Sequence, residues 1–181
     1  MRIVSGIYKS RKIIAPKHLP VRPTTDMAKE SLFNIINNHF YFDELIVLDL
    51  FAGTGNISYE FASRGTKHIT CVDQDFGCIK FINQTAETFK MPIQTIKSNV
   101  FKYLEKATLQ ANIIFADPPY NFPDNDFAKI PELVFQNNLL LEEGLLIVEH
   151  SKHTNLSQLA NYSYSKSYGG NMFSFFEHIL S

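Results

Sequence analysis

The chain has 181 residues, of which 45% are hydrophobic, and its 17 Lys and Arg side chains nearly balance 18 Asp and Glu, giving a net charge of −1. A chain of this length can bury a substantial core, so we expect one domain over residues 1–181. A net charge near zero argues against indiscriminate nucleic-acid binding. Because no apolar run reaches about 18 residues and the N-terminus has no apolar signal core, we expect neither a membrane span nor secretion.

The cysteine and histidine content argues against disulfide bonds and metal sites. Cys71 and Cys78 are too few for a disulfide framework and predict reduced, buried side chains. Among the six histidines, His150 and His153 have a spacing that metal sites use, but they have no companion ligands. We therefore expect a cytoplasmic protein without a bound metal.

Basic side chains are concentrated at the start of the chain. Six of them precede the first acid, Asp26: Arg2, Lys9, Arg11, Lys12, Lys17 and Arg22. Such a local basic face suits docking on phosphate, because the release of counterions favours binding. A solvated terminal arm is the alternative interpretation. The β-prone runs 2–6 and 11–15 within this segment predict a hairpin or a pair of edge segments.

The next stretch predicts an extended link followed by a helix. Pro16, Pro20 and Pro23 keep the backbone extended, and Thr24 or Thr25 can cap the helix that follows. In that helix the apolar residues fall on one face at helical spacing, so we expect it to pack on the body of the protein. They are Ala28, Leu32, Ile35 and Ile36, with His39 or Phe40.

A strand, a glycine-rich turn and a helix follow one another from residue 46. The apolar run 46–51 is typical of a parallel strand covered on both faces, and a helix over 57–64 comes after the turn Ala52-Gly53-Thr54-Gly55-Asn56. This order predicts the first strand-turn-helix unit of a doubly wound α/β sheet, which binds nucleotides. The glycines let a ligand approach the helix N-terminus. A second strand, 69–73, ends in Asp73, where a carboxylate would reach ribose hydroxyls.

Two features of the turn favour S-adenosylmethionine over a nicotinamide dinucleotide. A dinucleotide fingerprint has a third glycine three positions after Gly55, and this chain has Ser58 there. A dinucleotide brings a pyrophosphate to be cradled, whereas S-adenosylmethionine has none. The run Asp49-x-Phe51-x-Gly53-x-Gly55 also begins with an acid, whose carboxylate is placed to reach the amino group of an amino-acid-bearing ligand.

The remaining segments alternate helices and strands, as a doubly wound sheet requires. Asn99 is placed either to hydrogen-bond an adenine amino group or to cap the helix that follows it. The tyrosines of 162–168 are interpreted as hairpin packing rather than as a base-stacking platform. The predicted elements are a helix over 76–89, a strand at 93–96, a helix over 100–106, a strand at 112–116, a helix over 127–137, a turn at 142–144, a strand at 145–149 and a closing antiparallel hairpin of 162–168 and 172–180.

The strand at 112–116 ends in Asp117-Pro118-Pro119-Tyr120. The prolines stop the strand and form a stiff turn at the sheet edge where open α/β sheets bind their ligands. The Asp117 carboxylate and the Pro118 carbonyl can accept both hydrogens of an amine on a nucleobase, and the ring of Tyr120 can stack on the base. An ordinary surface turn with a strand-end acid is the alternative. The polar residues 121–126 then form a lid or substrate loop, or simply a solvated loop.

Four motifs spread over nearly the whole chain carry a resemblance to a known family. They are Arg2-Ile3-Val4-Ser5-Gly6 with Arg11-Lys12, Arg22-Pro23-Thr24-Thr25-Asp26 followed by Lys29-Glu30-Ser31-Leu32-Phe33-Asn34, Asp49-Leu50-Phe51-Ala52-Gly53-Thr54-Gly55, and Asp117-Pro118-Pro119-Tyr120. With them the chain resembles the bacterial 16S ribosomal RNA guanine-N2 methyltransferases, within the class I S-adenosylmethionine-dependent methyltransferases. The Arg-Pro-Thr-Thr-Asp stretch points to this family within the broader amine-methylating class.

The resemblance implies a Rossmann-like α/β fold, with a mostly parallel seven-stranded sheet whose last strand is antiparallel. It implies a basic N-terminal extension over 1–24 and a catalytic core over 25–181. The substrate would be 16S ribosomal RNA, in an assembling small ribosomal subunit, and the enzyme would act as a monomer. The implied residues are Asp117, Pro118, Pro119 and Tyr120 at the target guanine; Asp49, Phe51, Gly53, Gly55, Asp73, Asn99 and Val100 at S-adenosylmethionine; and Arg2, Lys9, Arg11, Lys12 and Arg22 on the RNA.

The chain departs from the family pattern at two places. Asn99 stands where many class I enzymes have an acid, and Lys9-Ser10-Arg11-Lys12 replaces a common Arg-Gly-Arg-Lys pattern. Two other functions are also compatible with the motifs. One is an adenine-N6 or cytosine-N4 methyltransferase acting on DNA, although the chain has no added segment for reading duplex sequence. The other is a ribosome-assembly factor that binds RNA without turnover.

Overall fold

The computed structural model describes residues 1–19, 24–119 and 121–179, so Arg22 and Tyr120 of the predicted sites lie outside the described residues, as does Leu180 at the end of the predicted hairpin. The helices within these ranges are α1 (Asp26–Asn37), α2 (Asn56–Ser63), α3 (Phe76–Phe89), α4 (Val100–Leu104) and α5 (Asp124–Gln136), with a 3-10 turn at Phe42–Glu44. The strands are β1 (Ile46–Leu50), β2 (His68–Asp73), β3 (Ile93–Lys97), β4 (Ala111–Ala116), β5 (Leu140–Ser151), β6 (Tyr162–Tyr168) and β7 (Asn171–Phe176).

The strands form a single sheet in the order β3-β2-β1-β4-β5-β7-β6. Neighbours from β3 to β5 are parallel, whereas β7 pairs antiparallel with both β5 and β6. The strand order runs from β1 through β2 to β3 on one side and from β4 to β5 on the other, so the topological switch point lies between β1 and β4. A doubly wound sheet has its ligand crevice at such a point. The predicted seven-stranded, mostly parallel sheet with an antiparallel last strand is confirmed.

Strand alternation divides the core into two layers. Ile113, Phe115 and Ile147 face the layer that contains apolar side chains of α1, α2 and α3. Ile114 and Val148 face the layer formed with α4 and α5. Because helices cover both faces, the central strands are apolar along most of their length. Three acids of these strands, Asp49, Asp73 and Glu149, lie at or near the carboxyl ends.

The caps and boundaries of several elements agree with the sequence patterns, and others correct them. Thr25 caps α1, and its side-chain oxygen accepts a hydrogen bond from the N–H of Ala28 at 3.2 Å. Helix α5 begins at Asp124, so the predicted loop 121–126 is wrong in its second half. Asp124 and Asp126 lie in the first turn of α5, where acids interact favourably with the helix dipole. Such polar residues are also typical of loops, which is why the sequence predicted a loop here.

Three further boundaries differ from their predictions. The predicted turn at 142–144 lies inside β5, where the pairing with β4 shifts register and the extra residues bulge. Helix α4 ends at Leu104 rather than at 106, and β7 ends at Phe176. Each error falls where a charged or polar residue interrupts an apolar pattern, because such a residue is compatible with both a turn and the exposed side of an element.

The N-terminal segment is neither a regular hairpin nor an edge of the sheet. Arg2 and Lys12 form one isolated antiparallel bridge, and the loop between them docks against the end of α2. The N–H of Ile7 donates to the carbonyl of Ser63 at 2.7 Å. Gly6 allows this approach with a φ of 81°, since a Cβ built there would lie 1.8 Å from the Ser63 oxygen.

Replacing Gly6 by Ala is expected to lower the free energy of unfolding by about 2 kcal/mol or more, because the methyl group forces the loop away from α2 and φ is unfavourable for any other residue. Urea unfolding of the two proteins measures this change. Gly170→Ala is the matched control, since a Cβ at Gly170 meets no atom within 4 Å. Equal stabilities for the Gly6 and Gly170 variants would contradict the docking described above.

Candidate active site

A cleft of about 1020 Å³ opens at the carboxyl ends of the central strands. It brings together residues that the sequence placed in two separate motifs. Those lining it are Asp49, Phe51, Gly53, Asp73, Asn99, Val100, Asp117, Pro118 and Pro119. Gly55 instead lies beneath the turn, where a Cβ would come within 2.9 Å of the Tyr59 ring. The glycine turn and the Asp-Pro-Pro turn are therefore two walls of one site.

The turn after β1 has an unusual backbone that Asp73 holds in place. Phe51, Gly53 and Gly55 all have positive φ, at 57°, 54° and 79°. The Asp73 carboxylate accepts a hydrogen bond from the N–H of Gly53 at 2.8 Å and another from the N–H of Asp75 at 2.8 Å. One acid thus connects the turn after β1 with the beginning of α3, and its contact with ribose hydroxyls remains a prediction.

Asp49 is a buried acid at the base of the cleft. Its side chain is only 2% exposed, and the Ser58 hydroxyl donates to it at 2.6 Å. Burial raises the pKa of Asp49 to about 7, although the Ser58 hydrogen bond opposes the shift. Ser58 also lies 3.0 Å from the Cys71 sulfur. The residue at the position of the missing third glycine therefore positions the acid that precedes the turn.

Asn99 acts as the helix cap that was one of its two predicted roles. Its side-chain oxygen accepts hydrogen bonds from the N–H groups of Phe101 at 3.1 Å and Lys102 at 3.2 Å. The side chain is exposed on the rim of the cleft. The cap interpretation is confirmed, and the contact with an adenine amino group stays a prediction.

The Asp-Pro-Pro turn continues directly from β4. The N–H of Asp117 donates to the Leu50 carbonyl at 3.4 Å, which ties the turn to β1. Pro118 is buried, Pro119 is exposed, and the Pro119 carbonyl accepts from the N–H of Phe122 at 2.9 Å. The two prolines therefore sit at different depths, one against the core and one at the surface.

An aromatic wall beside this turn was not predicted from the sequence. The ring of Phe122 has its centroid 5.4 Å from that of Phe51, 5.9 Å from Phe101 and 5.1 Å from Phe127. All four rings line the cleft. Phe122 stands in a polar stretch, so only its position two residues after the motif distinguished it.

A second group missed by the sequence analysis lies on the β5 side of the cleft. Glu149 is 6% exposed and accepts hydrogen bonds from the Thr24 hydroxyl at 3.2 Å and from the Asn171 amide. The three residues come from the link before α1, from β5 and from β7. Because they are far apart in sequence, no local pattern indicated that they meet.

Three of the basic N-terminal side chains line a groove beside the cleft. A groove of about 680 Å³ is lined by Arg2, Lys12 and Lys17, and Thr54 lines both this groove and the cleft. Lys9 is exposed, and the Arg2 guanidinium is 2.9 Å from Asp26. The guanidinium of Arg11 lies 5.9 Å from the centroid of the Phe89 ring. Arg2, Lys12 and Lys17 thus line an opening next to the glycine turn, whereas Lys9 and Arg11 do not line it.

Residues 1–19, 24–119 and 121–179 contain no group of three or more His, Cys, Asp or Glu placed to hold a metal ion. No helix among them is long and apolar enough to cross a membrane.

Comparisons with known proteins agree on one relationship. Residues 1–177 match the family described as Conserved hypothetical protein 95. The chain is 34% identical to "Putative rRNA methyltransferase YlbH" of Bacillus subtilis, over 87% of this chain and 86% of that protein. It is 30% identical to Ribosomal RNA small subunit methyltransferase D of Escherichia coli, over 90% of this chain and 81% of that protein. A solved structure, "Putative methyltransferase yhhF from Escherichia coli", superposes with a TM-score of 0.85 at 29% identity, covering 97% of this chain and 96% of its own.

The raised pKa of Asp49 predicts a pH dependence of stability. The folded state binds the Asp49 proton more tightly than the unfolded chain does, so stability is lost as the pH rises from about 4 to about 7. Asp49→Asn removes this loss. The free energy of unfolding of the variant, relative to that of the wild type, should therefore be higher at pH 8 than at pH 5 by about 2 kcal/mol. Urea unfolding at both pH values, without cofactor, measures the gain. Parallel pH profiles for the two proteins would show that Asp49 is not buried in this way.

Proposed function

The chain belongs to the Conserved hypothetical protein 95 family, and from that premise we propose that it transfers a methyl group from S-adenosylmethionine to the exocyclic N2 of a guanine in 16S ribosomal RNA. Relatives that bear the name of small-subunit ribosomal RNA methyltransferases support the substrate class. The observation that carries the proposal is the single cleft that joins the glycine turn to the Asp-Pro-Pro turn.

The polar groups of the cleft fit S-adenosylmethionine. Asp49 is a buried carboxylate with a pKa near 7, and an ammonium group of the amino-acid moiety would compensate its charge. Asp73 lies at the end of β2, where its carboxylate can also accept hydrogen bonds from ribose hydroxyls. Val100 and Asn99 line the far side of the cleft, where an adenine would lie. The chain has Ser58 where a dinucleotide fingerprint has its third glycine, which favours a ligand without a pyrophosphate.

The reacting nitrogen has to be aligned, because the lone pair of a guanine amine is delocalised into the ring. When bound, S-adenosylmethionine supplies a methyl group whose bond to sulfur breaks as its bond to N2 forms, with one N2 proton released to water. Asp117 accepts one N–H of the amine and the Pro118 carbonyl the other, so that the lone pair points into the cleft. Such positioning contributes about 7–11 kcal/mol in well-aligned reactions.

Asp117 also stabilises the positive charge that develops on nitrogen, which makes it the proposed catalytic carboxylate. This task requires no strong general base, because the amine becomes acidic only as the methyl group arrives. Tyr120 follows the prolines in the sequence and is proposed to stack on the unpaired guanine, a contact worth about 1–3 kcal/mol.

The RNA is proposed to approach over the N-terminal segment. The groove lined by Arg2, Lys12 and Lys17 opens beside Thr54, which belongs to the glycine turn. Phosphates that follow this groove would bring a nucleotide to the mouth of the cleft. Arg22 is part of the same proposed surface by its place in the sequence.

Asp117→Ala is expected to lower kcat by at least about 100-fold, since it removes the acceptor that orients the amine, while S-adenosylmethionine binding changes by less than about 3-fold. The assay is transfer of labelled methyl groups to partly assembled small ribosomal subunits, followed by nucleoside analysis and, separately, calorimetric cofactor binding. Asp43→Ala, an exposed acid before β1, is the control.

N2-methylguanosine from the wild type, absent with Asp117→Ala, is the expected result. Label found only in N6-methyladenine of a DNA control would overturn the choice of substrate while keeping the chemistry. Cofactor binding without any label in either nucleic acid would favour an assembly factor that binds RNA. Equal losses of transfer and cofactor binding in Asp117→Ala would contradict its proposed role.

A double variant, Lys12→Ala with Lys17→Ala, is expected to bind the RNA substrate more weakly and with a smaller salt dependence. The slope of log affinity against log salt should fall in magnitude by about 1–2, because each lost phosphate contact releases fewer counterions. Filter binding across a salt series measures the slope. Lys80→Ala with Lys106→Ala changes the charge equally at exposed sites elsewhere and should leave the slope unchanged.

A further inference from the structure

We propose that Glu149 recognises the target guanine by accepting a hydrogen bond from its N1–H, and so excludes bases that have an acceptor at that position. The inference rests on the proposed function, because it assigns a specificity-determining residue to the same cleft. Nothing in the sequence pattern indicated Glu149, and the mechanism described above does not use it.

The sheet register places Glu149 next to Asp117. Ala116 of β4 pairs with Val148 of β5, and Asp117 and Glu149 are the residues that follow each of them. Adjacent strands are about 4.8 Å apart, so the two acids stand side by side at the end of the sheet. Both line the cleft.

Strand alternation also assigns Glu149 to one face of the sheet. Phe115 and Ile147, two residues before Asp117 and Glu149, both belong to the layer that faces α1, α2 and α3. Side chains two residues apart on a strand point to the same side, so Glu149 of β5 faces the same side as Ile147. Asp117 is the first residue after β4, and it lines the same cleft as Glu149.

The fold holds Glu149 in a fixed orientation. One carboxylate oxygen accepts from the Thr24 hydroxyl and the other from the Asn171 amide. A carboxylate has about four lone-pair sites on its two oxygens, so it can accept from these donors and from an N–H group of a bound base as well.

Two adjacent carboxylates match two adjacent donors on guanine. The Watson–Crick edge of guanine presents the N2 amine next to N1–H, and a base extruded from its stack is read along this edge. With the amine at Asp117, N1–H lies on the Glu149 side. In adenine and 2-aminopurine, N1 carries no hydrogen and is itself an acceptor. Two acceptors, N1 and the carboxylate, would then face each other with no hydrogen bond between them. A site built around such a hydrogen bond rejects the wrong partner strongly.

The test compares two substrate RNAs once the methylated nucleotide has been located with the wild-type enzyme. One RNA has guanine at that position, and the other has 2-aminopurine, which keeps the 2-amino group but has an acceptor at N1. The ratio of kcat/KM values for the two RNAs is measured for the wild type, Glu149→Gln, Glu149→Asp and Glu142→Gln. Glu142 is exposed on the same strand and provides the matched change of charge.

The wild type and the Glu142→Gln control should prefer guanine by at least 10-fold. Glu149→Gln should lower this preference at least 10-fold, because its amide N–H can donate to the N1 acceptor. Glu149→Asp, which keeps the acceptor, should retain the preference at a lower rate. The change in ratio isolates N1, since the missing O6 of 2-aminopurine affects all four proteins alike.

A Glu149→Gln variant that loses rate on both RNAs equally would overturn the inference and leave the proposed function intact. So would a wild type that methylates 2-aminopurine as well as guanine, and this result does not depend on the stability of any variant. A wild type that methylates no guanine in the RNA would overturn the proposed function together with the inference.

Discussion

The buried ion pair of Lys29 and Glu60 joins the N-terminal segment to the body of the protein. Their charged atoms are 3.6 Å apart, and both side chains are almost completely inaccessible to solvent. Burial lowers the pKa of Lys29, and the nearby Glu60 carboxylate opposes this shift. Lys29 donates to the Arg2 carbonyl, and Glu60 accepts from the N–H groups of Val4 and Ser5. Because the buried Lys29 charge would be costly alone, it requires Glu60 and the backbone of the N-terminal segment, while Glu60 is also paired with Arg64 at 3.0 Å.

The same interaction reaches both sides of the cleft. Lys29 also donates to the side chain of Asn56, the first residue of α2 after the glycine turn, at 2.9 Å. Asn56 in turn donates to the Thr24 carbonyl at 3.5 Å, and the Thr24 hydroxyl donates to Glu149. A continuous series of polar contacts therefore connects the basic segment, the proposed cofactor turn and the proposed guanine pocket. Displacing the N-terminal segment would disturb all three, so the proposed RNA docking surface and the geometry of the cleft are physically linked.

Local patterns were sufficient to predict the sheet and its glycine turn, because apolar periodicity and glycine spacing report on neighbouring residues. They were insufficient where a polar residue is buried by distant partners. Lys29 and Glu60 are ordinary charged residues in helical sequence, and only the meeting of α1 and α2 makes them part of the core. Glu149 was missed for the same reason. Ser58 was noted as an absent glycine, but its hydrogen bond to Asp49 depends on how α2 packs against β1.

The position of β7 between β5 and β6 has a consequence for biosynthesis. β7 is the last strand along the chain, yet it occupies an interior place in the sheet and supplies Asn171 to the Glu149 side of the cleft. During translation the earlier strands can assemble first, but β5 remains an unpaired edge until the final hairpin emerges. The Glu149 side of the cleft is thus completed only after β7 has been made.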